Sequence, residues 1–498
     1  MRTAFSLFIL STIARSAYCA SCEQLQDMLI PGATVTAETV VDVNIGSYCR
    51  VSITSRPVPD SEIHSEVWLP SAEKWNGKLL GTGNGGYSSQ LDVRAMRAAR
   101  LRGYVVTGSD TGHSGSDLKF GVGHPVKIAD WAYRAIHVMT QAAKLVLRSY
   151  YGRLPEHSYF SGCSTGGQQA LSEAQRYPDD YDGIVAGDPG NDRIHLNAGF
   201  MWSWRALHDD PGADLSTVEL SLLYNAVMRS CDALDGVKDG IITDPRRCHF
   251  DPGALLCKDA DLNSCLSAAK VKAVRKIYAG ARNPRTGEQI FPGWARGSES
   301  LPDGSGSWAG YFAGKAEPAR IDFWRYWIFD DPHWEPKTFD FDRDIAFADH
   351  TLPQVSAVDP DLTAFKRHGG KLLMFQGWAD PVVPPENTIH YYDSVEREMG
   401  TKTADSFAVL FMVPGMGHCG GGPGPSKFDS LEQIDMWVAT DRAPQRIVAE
   451  HLDKAGSVDR TRPICRYPQQ PVYKGSGSTD DAANFVCRAP ASPQLLRK

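Results

Sequence analysis

The 498-residue chain lacks several features that would assign it quickly. No apolar run approaches the roughly 20 residues of a membrane helix, which excludes a helical membrane span. No block of like charge occurs, and a formal net charge of -7 leaves no electrostatic footprint for DNA or RNA. Internal repeats and low-complexity tracts are missing, which rules out solenoid, collagen-like and disordered architectures. No asparagine stands in an N-x-S or N-x-T sequon. In a chain poor in asparagine, that absence barely separates a bacterial periplasm from fungal secretion.

Cysteine, by contrast, is plentiful. Eleven thiols demand an oxidising compartment, a metal or redox chemistry. Arg2, an apolar run over residues 4–13, and small or polar residues up to Ser21 follow the order of a secretory signal spanning residues 1–20. The run is too short for a bilayer. Cleavage after Cys19, Ala20 or Ser21 fits, and bulky Tyr18 argues against a lipoprotein reading of Cys19. Each cut removes Cys19 and leaves ten cysteines, the even number expected of a secreted disulfide protein. The expected setting is extracellular, or periplasmic in a bacterium.

After the signal, alternating strand-like and helix-like patterns predict an α/β architecture. Residues 78–80 lead into Gly81-Thr82-Gly83-Asn84-Gly85-Gly86, and residues 104–107 into Gly108-Ser109-Asp110-Thr111-Gly112-His113. Both read as a strand followed by a glycine-rich loop. Residues 128–151 carry apolar side chains at helical spacing and hand over to a short buried strand at 157–160. Residues 371–375 and 407–413 are again strands running into loops. Between these halves the alternation lapses over residues 191–345, which are rich in Trp, Asp, Gly and Cys. The expected organisation is a core over residues 21–190 and 346–498, interrupted by a lid at 191–345. A Pro- and Gly-rich tail from Ala455 is pinned by its two cysteines.

Gly162-Cys163-Ser164-Thr165-Gly166 fits G-x-S-x-G, with a strand before it and a helix-compatible stretch after it, the context the motif requires. An ordinary glycine-rich turn is the bland alternative. A serine needs a base, itself oriented by an acid, and in the α/β-hydrolase order these follow as Asp or Glu and then His. Asp380, in Gly377-Trp378-Ala379-Asp380-Pro381, and His418, in Gly415-Met416-Gly417-His418-Cys419, both follow predicted strands. An oxyanion hole needs backbone N–H groups. Thr165 supplies the first, and Gly85 and Gly86 of the early glycine loop are the source of the second. That loop lacks the G-K-S or G-K-T ending of a P-loop. If Ser164 and His418 meet, Cys163 and Cys419 come within reach, and a disulfide between them ties the two loops together. The competing reading of Cys163 is a free catalytic thiol.

A second constellation runs from Cys231 to Ile241. Asp232, Asp235 and Asp239, at i, i+3 and i+7 and punctuated by two glycines, can wrap a hard cation with the carbonyls of Val237 and Ile241. Calcium suits this donor mix better than magnesium, and Cys248 brackets the loop by pairing with Cys231. Solvated surface turns are the alternative.

Taken together, these motifs resemble the tannase and feruloyl esterase family of secreted serine esterases, which also resembles the enzymes that cleave terephthalate half-esters. The resemblance covers nearly all of the mature chain and is carried by Gly83-Asn84-Gly85-Gly86, Ser109-Asp110-Thr111-Gly112-His113, Gly162-Cys163-Ser164-Thr165-Gly166-Gly167, Cys231-Asp232-Ala233-Leu234-Asp235-Gly236, Gly377-Trp378-Ala379-Asp380 and Gly417-His418-Cys419. It implies an α/β-hydrolase core with a large inserted lid, a Ser164–His418–Asp380 triad beside a Cys163–Cys419 bridge, and structural Ca2+ in the lid on Asp232, Asp235, Val237, Asp239 and Ile241. It further implies the pairs Cys22–Cys49, Cys231–Cys248, Cys257–Cys265 and Cys465–Cys487. The implied substrate is a small aromatic ester, or one linked to plant polysaccharide or polyphenol. Lid aromatics Trp202, Trp204, Trp308, Tyr311, Phe312, Phe323, Trp324, Tyr326, Trp327 and Trp334 offer faces for an acyl ring, although most such residues serve as a lid's own core. Within enzymes the alternatives are a tannase or a terephthalate half-ester hydrolase. From another class, the alternative is a calcium-dependent carbohydrate-binding protein on a vestigial hydrolase fold.

Overall fold

The computed structural model describes residues 20–258 and 264–490. Residues 1–19, nearly all of the expected signal and with it Cys19, lie outside the described residues.

A nine-stranded mixed sheet forms the frame. Its strands are β1 (Ala33–Asp42), β2 (Gly46–Ser55), β3 (Ile63–Leu69), β4 (Lys78–Thr82), β5 (Val105–Ser109), β6 (His157–Cys163), β7 (Gly183–Gly187), β8 (Lys371–Gly377) and β9 (Ala408–Val413). The spatial order is β1-β2-β3-β5-β4-β6-β7-β8-β9. Pairing is antiparallel through β1, β2, β3 and β5, and parallel from β5 onward. Strands β5, β7 and β9 are buried along their whole length, which is why they read as short apolar runs. This is an α/β-hydrolase core.

One expectation is corrected here. Strand–helix alternation does not begin directly after the signal: β1, β2 and β3 form an antiparallel meander, and alternation starts at β4. β1 sits at the sheet edge with no fully buried residue, so its pattern carries none of the apolar weight of the central strands.

The described residues of 191–345 give no strand to this sheet. They hold helices Arg193–His208, Thr217–Cys231 and Ala268–Ala279 and a short hairpin. Trp204, Leu223, Val227, Ile277, Trp294, Trp308 and Phe312 make a core there, which Val382 and Val383, two and three residues beyond Asp380, also join. Five disulfides are present: Cys22–Cys49, Cys163–Cys419, Cys231–Cys248, Cys257–Cys265 and Cys465–Cys487. The Cys163–Cys419 bridge closes a separation of 256 residues, worth about 5 kcal/mol in the chain-entropy picture before nested bridges are discounted.

The turn from β6 into helix α1 (Thr165–Arg176) is packed backbone against backbone. A Cβ on Gly162 would stand 2.5 Å from the Gly166 carbonyl, and one on Gly83 would stand 2.6 Å from Gly166 Cα. Side chains are excluded because rigid backbone, not a flexible neighbour, occupies the space. Gly162→Ala should therefore cost more than about 2 kcal/mol of stability or prevent folding. Gly46→Ala, at a positive φ of 77° in open space, should cost only about 1 kcal/mol. Urea unfolding of the two variants checks this, and equal costs would contradict it.

Candidate active site

Ser164 caps α1 with φ 64° and ψ -118°, a conformation that L residues rarely adopt. The chain is held there by the Ser164 N–H donating to Gly187 O (2.9 Å), and by its carbonyl accepting from Gln168 N–H (3.0 Å) and Gly190 N–H (3.2 Å). A sharp strand-to-helix turn of this kind leaves the side chain partly exposed at the end of the sheet.

Asp380 follows β8 and is fully buried. Its Oδ1 accepts from the N–H groups of Val382 (2.7 Å) and Val383 (3.0 Å), and its Oδ2 from Gln376 Nε2 (3.0 Å) and His418 Nδ1 (2.8 Å). A carboxylate can only accept, so the His418 proton sits on Nδ1 and Nε2 is left free as a base. Burial alone would pull the His418 pKa down, but the Asp380 charge and hydrogen bond, with Asp188 adding, outweigh it and raise the pKa above 6.5. No hydrogen bond joins Ser164 Oγ to His418 among the described residues. Such contacts commonly tighten only when substrate binds.

Asp188, at the end of β7, was missed by sequence reasoning. It is fully buried at a positive φ of 37°. Its Oδ1 accepts from Gly377 N–H (2.8 Å) and its Oδ2 from Cys419 N–H (3.0 Å). One of its oxygens lies within 4.8 Å of ligand atoms of Asp380 and His418. Burial and the neighbouring Asp380 charge push its pKa well up. The Gly187-Asp188-Pro189-Gly190 turn at a strand end was the signal available.

The glycine loop after β4 lies against the first turn of α1. Gly83 N–H donates to Ser161 O (3.1 Å) and Asn84 N–H to Gln169 Oε1 (3.0 Å). Gly85 and Gly86 N–H therefore remain as the loop's candidate donors, and Thr165 N–H opens the helix without an intrahelical acceptor. The Arg320 guanidinium rests against Gly86 and over the Tyr87 ring, 5.1 Å from its centroid. Of the ten lid aromatics, Trp204, Trp308 and Phe312 are buried in the lid's own core, and Phe323, Trp324 and Trp327 in a core shared with Tyr87, Leu118, Ile128 and Trp131 of the first part of the chain. Tyr311 is partly buried and stacks on Phe200; burial raises its hydroxyl pKa, with Arg320 opposing and Asp380 adding. A cavity of about 590 Å³ lined by Ala95, Arg102, Phe428 and Glu450 includes none of Ser164, Asp380 and His418, so it is not an acyl pocket.

The acidic lid loop supplies oxygen donors of the type a hard cation takes. Asp232 Oδ1 accepts from the N–H groups of Asp239 (3.1 Å) and Gly240 (2.9 Å), Asp235 Oδ1 from Val237 N–H (2.9 Å), and Asp239 Oδ1 from Ile241 N–H (3.2 Å). Asp239 also forms a buried ion pair with Arg462. Among the described residues the three carboxylates do not gather with their oxygens within 4.8 Å of one another, the span of one calcium shell. The donor chemistry fits, but a bound ion would have to draw the carboxylates together against Arg462.

A basic His418 held by Asp380 predicts a defined pH response. Because only neutral imidazole accepts a proton, kcat/KM for ester turnover should fall as pH drops through the raised His418 pKa, with the midpoint above 6.5. Asp380→Asn should move that midpoint down and lower kcat by roughly three to four orders of magnitude. A midpoint below 6.5 in the unmodified protein would contradict the assignment.

The tannase and feruloyl esterase family profile matches residues 49–488. An uncharacterized esterase of Xanthomonas campestris pv. campestris is 36% identical, the match covering 98% of this chain and 94% of that protein. A probable feruloyl esterase B-2 of Aspergillus terreus is 33% identical over 88% of this chain and 86% of its own. The crystal structure of feruloyl esterase B from Aspergillus oryzae superposes with a TM-score of 0.85 at 28% identity, covering 94% of this chain and 99% of that one. The chain is a carboxylic ester hydrolase and belongs to the tannase and feruloyl esterase family.

Proposed function

We propose that the chain is an exported serine esterase acting on aromatic acid esters of the hydroxycinnamoyl, feruloyl type. The observation that carries the reading is the Cys163–Cys419 bridge, which brings the hydrogen-bonded His418–Asp380 pair to the Ser164 turn. His418 Nε2 takes the Ser164 proton as Oγ attacks the ester carbonyl. The tetrahedral oxyanion is held by the N–H groups of Thr165 and of Gly85 or Gly86. His418 returns the proton to the departing alkoxide, leaving an acyl-enzyme and free alcohol. Water, deprotonated by His418, then releases the acid. Five disulfides suit an oxidising compartment, and no helix among the described residues is long and apolar enough to cross a membrane.

Arg320 favours a second substrate reading. It forms no ion pair among the described residues while lying against Gly86 of the glycine loop. A substrate that keeps a free carboxylate, such as a terephthalate half-ester, would satisfy that charge. Galloyl esters are the remaining possibility within the family.

Fluorophosphonate labelling should modify Ser164 in the unmodified protein, and Ser164→Ala should abolish both labelling and turnover while remaining folded. An unlabelled serine in a folded protein would favour the inert calcium-dependent carbohydrate binder instead. Turnover of methyl ferulate, methyl caffeate, methyl gallate and a terephthalate half-ester ranks the acyl groups, with methyl ferulate or caffeate expected first. We also propose that the lid loop of Asp232, Asp235, Val237, Asp239 and Ile241 takes structural Ca2+. Chelation with EGTA should then lower Tm by several degrees, restored by added Ca2+; an unchanged Tm together with no retained calcium would contradict the site.

A further inference from the structure

Behind the first turn of α1 lies a positive charge that nothing neutralises. Arg193, the first residue of the helix Arg193–His208, is 4% exposed and forms no ion pair among the described residues. Its Nε donates to Gln168 Oε1 (2.8 Å), its Nη2 donates to the same oxygen, and Nη2 donates to Thr165 Oγ1 (2.9 Å). The rings of Tyr87 and Trp131 stand 5.6 and 5.4 Å from the guanidinium carbon. Burial lowers its pKa only to about 10, so it stays charged at neutral pH.

Taking a guanidinium out of water is costly, and neutral acceptors and aromatic faces compensate only in part. Among the described residues no carboxylate pairs with Arg193. In the proposed reaction negative charge develops at the oxygen received by the N–H of Thr165, the residue whose hydroxyl Arg193 holds. Two of the three polar contacts go to Gln168 and one to Thr165, so the guanidinium also clamps the first turn of α1 that aims this N–H.

We propose that Arg193 is a positioning residue of the oxyanion site, fixing Thr165 through its hydroxyl and adding an unpaired positive field where the tetrahedral oxygen becomes negative. The proposal rests on the reading of Ser164 as nucleophile. It differs from a purely structural clamp in one respect: the field acts on the transition state and not on bound neutral substrate.

The test compares Arg193→Met, Arg193→Lys and Gln168→Glu in the full chain, measuring kcat and KM on methyl ferulate, affinity for an arylboronic acid that forms a tetrahedral adduct with serine, affinity for neutral ferulamide, and Tm. Arg193→Met should lower kcat roughly 10- to 100-fold and weaken the boronate by the same factor, with ferulamide affinity and KM within twofold. Arg193→Lys keeps the charge and should recover part of the loss. Gln168→Glu leaves Arg193 in place but gives it a carboxylate partner, and should lower kcat in a folded protein; it carries the test if Arg193→Met does not fold. Variants with lowered Tm but kcat and boronate affinity within twofold of the unmodified enzyme would overturn the proposal and leave Arg193 a structural clamp. Failure of fluorophosphonate to label Ser164 in the unmodified enzyme would overturn the nucleophile reading and this proposal together, whereas normal labelling with unchanged kcat in the variants overturns this proposal alone.

Discussion

The constraint on which the site depends is the Cys163–Cys419 disulfide. Cys163 ends β6 and Cys419 lies beyond β9, with β7 and β8 between them in the sheet. Three strand spacings amount to roughly 14 Å, yet the two Cα atoms are 5.9 Å apart. The loop after β9 must therefore fold back across the ends of β8 and β7 to reach the Ser164 turn. Asp188 fastens this return: from the end of β7 it accepts an N–H from Gly377 at the end of β8 and another from Cys419. Four neighbouring strand ends are thus stitched by one covalent bond and one buried carboxylate, and Ser164 and His418 are the residues on either side of the stitch.

Electrostatics divides the site into two halves. On the base side of the proposed mechanism, Asp380 and Asp188 are both buried within 4.8 Å of His418 ligand atoms, an arrangement that favours an imidazolium at His418. Opposite it, in the proposed mechanism, stand the N-terminus of α1 and two arginines that form no ion pair among the described residues, Arg193 at Thr165 Oγ1 and Arg320 against Gly86. Positive charge on one side and negative on the other match the charge separation of acyl transfer. The lid meets the base side directly. Trp294 Nε1 donates to Pro381 O (2.9 Å), and Val382 and Val383 pack in the lid's core, so the loop that holds Asp380 is shared between lid and sheet.

Much of this was legible in the sequence, for identifiable reasons. The parallel strands are buried on both faces and announce themselves as apolar runs ending in glycine-rich loops, so Ser164, Asp380 and His418 could be placed at strand ends. The pairing of Cys163 with Cys419 followed from their adjacency to two of those residues. The meander β1–β3 was not legible, since an edge strand that buries nothing fully has no such run. Asp188 and Arg193 escaped because their significance lies in burial against partners distant in the chain, Gly377 and Cys419 for Asp188 and Thr165 and Gln168 for Arg193, which no spacing encodes. The lid aromatics were visible as residue types, but only the fold separates Trp308, wholly buried in the lid's core, and Trp324, wholly buried in the core that lid and first part share, from partly buried Tyr311.

The most direct test of the account is the acylation rate with and without the bridge. Stopped-flow turnover of an activated feruloyl ester, followed to the acyl-enzyme by intact mass, should show acylation at least tenfold slower in Cys163→Ser/Cys419→Ser than in the native protein, while far-UV circular dichroism stays native, because the sheet does not need the bridge and the alignment of Ser164 with His418 does. Acylation at the native rate in a folded double variant would contradict the claim that the disulfide assembles the active site.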